Sequence, residues 1–149
     1  MSEQKQHSLS VLLIDDNAIV RAALGEMLEL EGWKVTYCHD GRSAAEKSFA
    51  HSFDAMLVDF SMPGLDGPDA VTILRPAHPH TCIIGMSMED RSDEFLAAGA
   101  DAFLMKPFGS TEILRLLKST RAATRGGGNM NPGASAFPEA CCGVSERLE

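Results

Sequence analysis

Four charged residues stand directly after short apolar runs of the sequence, and their side chains could carry out chemistry together. Asp15 and Asp16 follow the first such run, Asp59 follows a later one, and Lys106 follows the last. In a parallel α/β sheet the carboxyl ends of the strands open onto one edge, where residues that are distant in sequence converge. The sequence therefore predicts one acidic pocket that contains a single amine.

Three carboxylates in one pocket need a compensating positive charge, because two of them about 4 Å apart repel by roughly 4 kcal/mol at an effective dielectric constant of about 20. Hard carboxylate oxygens suit Mg²⁺, which proteins usually bind through one or two carboxylates and water. A carboxylate beside such an ion can attack phosphorus and form an acyl phosphate. Asp59 is the natural nucleophile, and the Lys106 ammonium could pair with the transferred phosphoryl group.

Short apolar runs separated by helical patterns predict five buried strands. These runs lie at residues 11–14, 34–38, 55–58, 82–86 and 102–105. Strands that are buried on both faces are typical of a parallel sheet with helices on either side. The sequence therefore predicts an α/β fold with a doubly wound, five-stranded parallel sheet.

Glycine and proline mark the expected helix ends. Gly32 lies just past the first helical pattern and is expected to end it. Pro68 occupies the first position of the third helix, which Pro76 and Pro79 are expected to end. The last helix is predicted from Ser110 to Arg125.

Length and composition indicate one domain. A chain of 149 residues that is 44% hydrophobic can bury a core of single-domain size. We expect this domain to span residues 8–125 and to be followed by a flexible tail, 126–149, that is rich in glycine, proline and serine. The last two residues, Leu148 and Glu149, could be a cloning remnant.

The charge of the chain argues against some classes of partner. A net charge of −8 disfavours direct binding to nucleic acid, because phosphate backbones require a basic surface. No apolar run approaches the length of about 18 residues that a membrane span needs, and Met1 to Ser10 does not resemble a signal peptide. We therefore expect a cytoplasmic protein without a membrane partner.

Motifs that follow four of the predicted strands can be compared with known families. They are Asp15-Asp16, Asp59-x-x-Met62-Pro63-Gly64, Ser87 and Lys106-Pro107-Phe108. In this order, after the first, third, fourth and fifth strands, they resemble the response-regulator receiver domain over roughly residues 8–125. The resemblance implies a flavodoxin-like (βα)5 fold with the strand order 2-1-3-4-5.

The resemblance also implies which residues would hold the metal ion. Asp16 and Asp59 would ligate Mg²⁺ directly, together with the main-chain carbonyl of Ser61. Asp15 would act largely through a bound water.

Further roles implied by the resemblance concern the phosphoryl group on Asp59. Lys106 and the Ser87 hydroxyl would both contact it, and the peptide bond between Lys106 and Pro107 would be cis. Phe103 would be the aromatic residue whose rotation carries the conformational switch.

One segment departs from the family pattern. The stretch from Ser87 to Gly99 is shorter than the spacing that is common in receivers. We expect this difference to trim the loop before the fourth helix, or that helix itself.

The function that the resemblance implies is that of a single-domain response regulator. Its phosphodonor would be a histidine kinase or a histidine phosphotransfer protein, and its output would be the control of a downstream protein partner. It would be a signalling domain and not a conventional enzyme. Two alternatives stay open: a receiver-like adaptor that works without phosphorylation, and a receiver excised from a hybrid histidine kinase.

Two other functions found on related α/β folds fit the sequence less well. An FMN binder of the flavodoxin type needs a hydroxyl- and glycine-rich phosphate loop after the first strand, where Asp15 and Asp16 would repel the phosphate. A haloacid-dehalogenase-type phosphatase needs an Asp-x-Asp motif at that place, and the sequence lacks it.

Overall fold

A computed structural model of the protein describes residues 9–125, in which five strands alternate with five helices. The strands are β1 (Ser10–Ile14), β2 (Lys34–Cys38), β3 (Ala55–Asp59), β4 (Cys82–Ser87) and β5 (Ala102–Met105). The helices are α1 (Ala18–Leu30), α2 (Gly41–Ala50), α3 (Gly67–Ala77), α4 (Ser92–Ala98) and α5 (Ser110–Arg125). The predicted tail, 126–149, lies outside the described residues.

The five strands form one sheet in the order β2-β1-β3-β4-β5, and every neighbouring pair is parallel. The predicted fold class and strand order are therefore confirmed. Val11 of β1 pairs with Val35 of β2 on one side and with Ala55 of β3 on the other, so these three strands are aligned at this residue. Because all strands run the same way, their carboxyl ends share one edge of the sheet.

The sheet is buried on both faces, as its apolar strands require. Alternate residues of each strand point to opposite sides, and two apolar cores result. Leu13 of β1 belongs to the core beneath α1 and α5, whereas the adjacent Leu12 belongs to the core beneath α2, α3 and α4. Every residue of β3 and β4 is buried, so these two strands form the rigid centre from which the loops at the carboxyl edge extend.

Local capping fixes where the helices next to that edge begin. The Asn17 side chain accepts hydrogen bonds from the amides of Ile19 and Val20 and so caps α1. Asp66 caps α3 in the same way through the amide of Asp69. Because Asn17 is the capping residue of α1, the carboxylates of Asp15 and Asp16 are not used as caps and are available to the pocket.

α3 ends at Ala77, between the two prolines that were expected to end it. Pro76 lies inside the helix, which continues to Ala77, and Pro79 lies beyond it. A proline in the last turn removes one backbone donor without blocking the end of the helix. Arg75 secures this end, because its guanidinium donates to the carbonyls of His78 and Thr81.

The short segment between Ser87 and Gly99 contains α4, which has only seven residues. The helix is held by Phe95, whose side chain is completely buried. A methyl group added at Gly85 of β4 would lie 2.3 Å from the ring of Phe95, so the glycine leaves the space that the ring fills. A short helix is thus attached to the sheet through one aromatic anchor.

No helix within residues 9–125 combines the length and the apolarity that crossing a membrane requires.

We predict that Gly85→Ala lowers the free energy of unfolding by about 1–3 kcal/mol, because the new methyl group overpacks the core against Phe95. Backbone entropy alone would favour alanine over glycine in a strand, so the sign of the change is informative. Urea denaturation measures it. In a Phe95→Leu background the same substitution should be much less harmful. An equal loss in both backgrounds would contradict the proposed contact.

Candidate functional site

Three carboxylates converge at the carboxyl edge of the sheet. Asp15 and Asp16 follow β1, Asp59 ends β3, and one oxygen from each carboxylate lies within 4.8 Å of the other two. Asp15 and Asp59 are buried, whereas Asp16 is exposed. The structure thus brings together the acidic residues that the sequence placed after separate strands, and leaves one of them open to solvent.

Lys106 spans two of the three carboxylates. Its Nζ donates to Asp15 Oδ2 at 2.8 Å and to Asp59 Oδ1 at 2.9 Å. The side chain is only 13% exposed, so these ion pairs are screened little by water. One ammonium among three carboxylates leaves the pocket with two surplus negative charges.

The pKa values of Asp59 and Lys106 reflect the same imbalance. Burial raises the pKa of the Asp59 carboxyl above its usual value, and the lowering effect of the Lys106 ammonium does not cancel that rise. Burial alone would lower the pKa of Lys106, but its hydrogen bonds to Asp15 and Asp59 raise it overall. The lysine therefore stays protonated, and a further cation in the pocket would stabilise the ionised form of Asp59.

Hydrogen bonds between neighbouring strand ends fix where these residues stand. The Asp15 amide donates to the Cys38 carbonyl, and the Lys106 amide donates to the Ser87 carbonyl at 2.7 Å. The Phe60 amide, directly after Asp59, donates to a carbonyl of β4. The pairing of the sheet is thus continued one residue past its strands, so the charged side chains are attached to rigid backbone.

The loop after Asp59 turns closely around the pocket. The Gly67 amide donates to the Phe60 carbonyl at 2.9 Å, and a methyl group at Gly67 would lie 2.5 Å from the Asp59 carbonyl oxygen. Only glycine allows α3 to begin so near to β3. Ser61, whose carbonyl was the expected metal ligand, lies in this loop and is exposed.

Ser87 is buried at the end of β4, next to the pocket. Its hydroxyl accepts a hydrogen bond from the Glu89 amide at 3.2 Å, and its carbonyl receives the Lys106 amide. The serine therefore contributes to the pocket through its backbone, while its hydroxyl holds the loop that leads to α4.

Phe103, the expected switch residue, is buried with 3% of its surface exposed. Its ring centroid lies 5.7 Å from that of Phe95, which in turn lies 6.2 Å from that of Phe60. The three rings connect β5, α4 and the residue next to Asp59. The peptide bond between Lys106 and Pro107 is cis, as the resemblance implied.

A family model described as the response regulator receiver domain matches residues 11–118 of the chain. The chain belongs to this family. It is therefore a receiver domain of the response-regulator type, the kind of domain that works in two-component signalling.

Individual relatives agree with this assignment. The response regulator MprA of Mycobacterium ulcerans is 33% identical over 121 residues, which cover 79% of this chain and 52% of the relative. The chain thus spans about half the length of the curated relatives it matches. The chemotaxis protein CheY4 of Vibrio cholerae superposes with a TM-score of 0.72 at 29% identity, over 76% of this chain and 98% of that structure.

A third relative is the receiver domain of the sensor histidine kinase PA1611 from Pseudomonas aeruginosa. It superposes with a TM-score of 0.68 at 31% identity and covers 74% of this chain and 95% of that structure. Its structure was determined with a magnesium ion coordinated in the active-site cleft.

One residue beside the pocket escaped the sequence reasoning. Arg21 of α1 donates to the main-chain carbonyl of Asp15 at 2.6 Å. A cation in the first turns of a helix is disfavoured by the helix dipole. That unfavourable position was a signal that Arg21 has a specific partner.

We predict that Lys106→Met, in the absence of divalent cations, lowers the free energy of unfolding by about 3 kcal/mol. Removing one partner of a buried ion pair leaves Asp15 and Asp59 without a counterion. Urea denaturation measures the loss, and the exposed Lys118→Met is the matched control, with an expected change within about 0.5 kcal/mol. Equal stability of the two variants would show that the Lys106 bridge does not hold the pocket together.

Proposed function

We propose that this receiver domain is a cytoplasmic response-regulator unit that accepts a phosphoryl group on Asp59. The donor would be a histidine kinase or a histidine phosphotransfer protein, and the phosphorylated domain would control a downstream protein. The observation that carries the proposal is the Lys106 ammonium, which bridges Asp59 and Asp15 beside the exposed Asp16. This arrangement combines a nucleophile, a movable cation and a place for a metal ion.

The residues of the pocket fit Mg²⁺. Their three carboxylates carry two surplus charges after pairing with Lys106, and Mg²⁺ takes oxygen ligands of this kind. Asp16 and Asp59 would hold the ion with the carbonyl of Ser61, and Asp15 would hold it through water. When bound, the ion would withdraw charge from the phosphoryl oxygens. The magnesium ion in the PA1611 receiver domain supports this assignment.

The chemical step follows from the same contacts. A carboxylate oxygen of Asp59 forms a bond to phosphorus, while the bond from phosphorus to the histidine nitrogen of the donor breaks and its electron pair stays on that nitrogen. Lys106 would exchange its contact with Asp59 for a phosphoryl oxygen and keep its contact with Asp15. The Ser87 hydroxyl would give up the Glu89 amide and donate to the phosphoryl group.

In this scheme the domain modifies itself once per phosphoryl group received. We therefore class it as a signalling domain and not as a conventional enzyme. The acyl phosphate stores the signal until it is hydrolysed or passed on.

A second candidate context is suggested by one relative. The likeness to the receiver domain of the sensor histidine kinase PA1611 favours a receiver that passes its phosphoryl group onward within a kinase system. Transfer from phosphorylated Asp59 to a histidine phosphotransfer protein would distinguish this role from direct control of a target.

We predict that acetyl phosphate with Mg²⁺ adds the mass of one phosphoryl group to the protein, as read by intact mass spectrometry. Asp59→Asn should abolish the adduct, and a chelator should prevent it. Asp69→Asn, which changes an exposed aspartate in the first turn of α3, should leave it intact. Hydroxylamine should remove the adduct, because it attacks acyl phosphates and leaves phosphate esters unchanged.

The absence of an adduct both with acetyl phosphate and with phosphorylated kinases would refute this proposal. The phosphorylation-independent adaptor would then be the better account of the domain. An adduct that persists in Asp59→Asn would show that another residue is the acceptor.

A further inference from the structure

Arg21 approaches the acidic pocket from the second turn of α1. Its Nη1 donates to the Asp15 carbonyl at 2.6 Å, and within residues 9–125 its guanidinium makes no ion pair. The rest of the side chain is half-buried and lines a groove beside Tyr37. The guanidinium thus donates to a backbone carbonyl and forms no ion pair with Asp15, Asp16 or Asp59.

That carbonyl belongs to the most tightly held residue of the pocket. Asp15 is completely buried, and each of its polar groups has a partner. Its amide donates to Cys38, Oδ1 accepts from the Asn17 amide at 2.9 Å, Oδ2 accepts from Lys106, and the carbonyl accepts from Arg21. Asp16, by contrast, is exposed, so its position depends on the backbone that precedes it.

The Asp15 carbonyl and the Asp16 amide are parts of one planar peptide unit. A donor that fixes the carbonyl oxygen therefore fixes the plane and the direction in which the chain enters Asp16. Without Arg21 the buried carbonyl would lose its hydrogen-bond donor, and the peptide unit could rotate to reach another donor. Such a rotation would swing the Asp16 carboxylate out of the group that it forms with Asp15 and Asp59.

We propose that Arg21 is a positioning residue of the metal site, which aims the Asp16 carboxylate by holding the peptide unit between Asp15 and Asp16. The inference rests on the proposed function in so far as it takes Mg²⁺ as the ion. It assigns a role to a residue that would touch neither the ion nor the phosphoryl group.

The charge of Arg21 and its proposed positioning role predict opposite changes in Mg²⁺ affinity when the guanidinium is removed. A guanidinium near a cation site repels the ion, so its removal should strengthen Mg²⁺ binding if charge alone mattered. Removal of a group that orients a metal ligand should weaken Mg²⁺ binding. In known metal sites the loss of such a group lowers the affinity for the metal by about tenfold or more. The direction of the change in affinity therefore separates the two roles.

The experiment is calorimetric titration of the protein with Mg²⁺ alone, without any phosphodonor. Arg21→Met keeps the aliphatic stem and removes the donor, and we expect its Kd for Mg²⁺ to rise about tenfold. Arg21→Lys, which can still donate to one carbonyl, should recover most of the affinity. The matched control is Arg115→Ala, which removes an exposed arginine from α5. This variant should bind Mg²⁺ like the wild type.

Unchanged or tighter Mg²⁺ binding by Arg21→Met would overturn the inference, as would a failure of Arg21→Lys to bind better than Arg21→Met. Circular dichroism before each titration checks that the variants are folded. Should Arg21→Met not fold, Arg21→Ala, which also removes the donor, takes its place: weaker binding than that of the wild type supports positioning, and equal or tighter binding contradicts it.

Phosphorylation by acetyl phosphate at increasing Mg²⁺ gives a second measurement. The Mg²⁺ concentration for half-maximal rate should rise in Arg21→Met, while the rate at saturating Mg²⁺ should stay close to that of the wild type. A wild type that binds Mg²⁺ but forms no adduct would refute the proposed function and leave the titration valid. An adduct with unchanged Mg²⁺ affinity in Arg21→Met would refute this inference alone.

Discussion

The ion pairs of Lys106 are the constraint on which the pocket depends. Two buried carboxylates cannot stay ionised side by side without a cation, and the Lys106 ammonium meets both at 2.8 and 2.9 Å. It supplies one positive charge to three carboxylates, so the resting pocket is stable enough to fold and still has the charge to attract a divalent ion. The proposed affinity for Mg²⁺ would thus be a direct consequence of incomplete internal neutralisation.

The parallel sheet makes this concentration of charge possible. Each strand delivers its last residues to the same edge, and hydrogen bonds between adjacent strand ends hold them there, from Asp15 to Cys38 and from Lys106 to Ser87. Two apolar cores bury both faces of the sheet and supply the stability that offsets repulsion between the carboxylates. The lysine and its partners are 91 and 47 residues apart in sequence, so only the topology brings them together.

Much of the fold was predictable, because strand burial and helix ends leave local signals in the sequence. The five strands and the bounds of α5 agree with the structure, and the acidic residues converge because strand ends converge. The strand order, which the resemblance implied, is also the observed one. The features that escaped prediction depend on tertiary contacts. Gly85 looks like an ordinary strand residue in the sequence, and only the structure shows that the Phe95 ring fills the space beside it. Arg21 belongs to no motif, and its proposed positioning role follows only from its contact with the Asp15 carbonyl.

The contacts of α4 indicate how a change of charge in the pocket could reach the surface. Its preceding loop is held by the Ser87 hydroxyl through the Glu89 amide, and its body is held by Phe95 against Gly85 and Phe103. Phe95 is the one buried residue among the seven of this helix. Phe103 is already buried here, and a movement of the Ser87 hydroxyl would act first on the loop held by the Glu89 amide and then on the Phe95 anchor. We therefore expect a shift of α4 as a unit, and not the rotation of Phe103 alone, to carry the change from the pocket into packing.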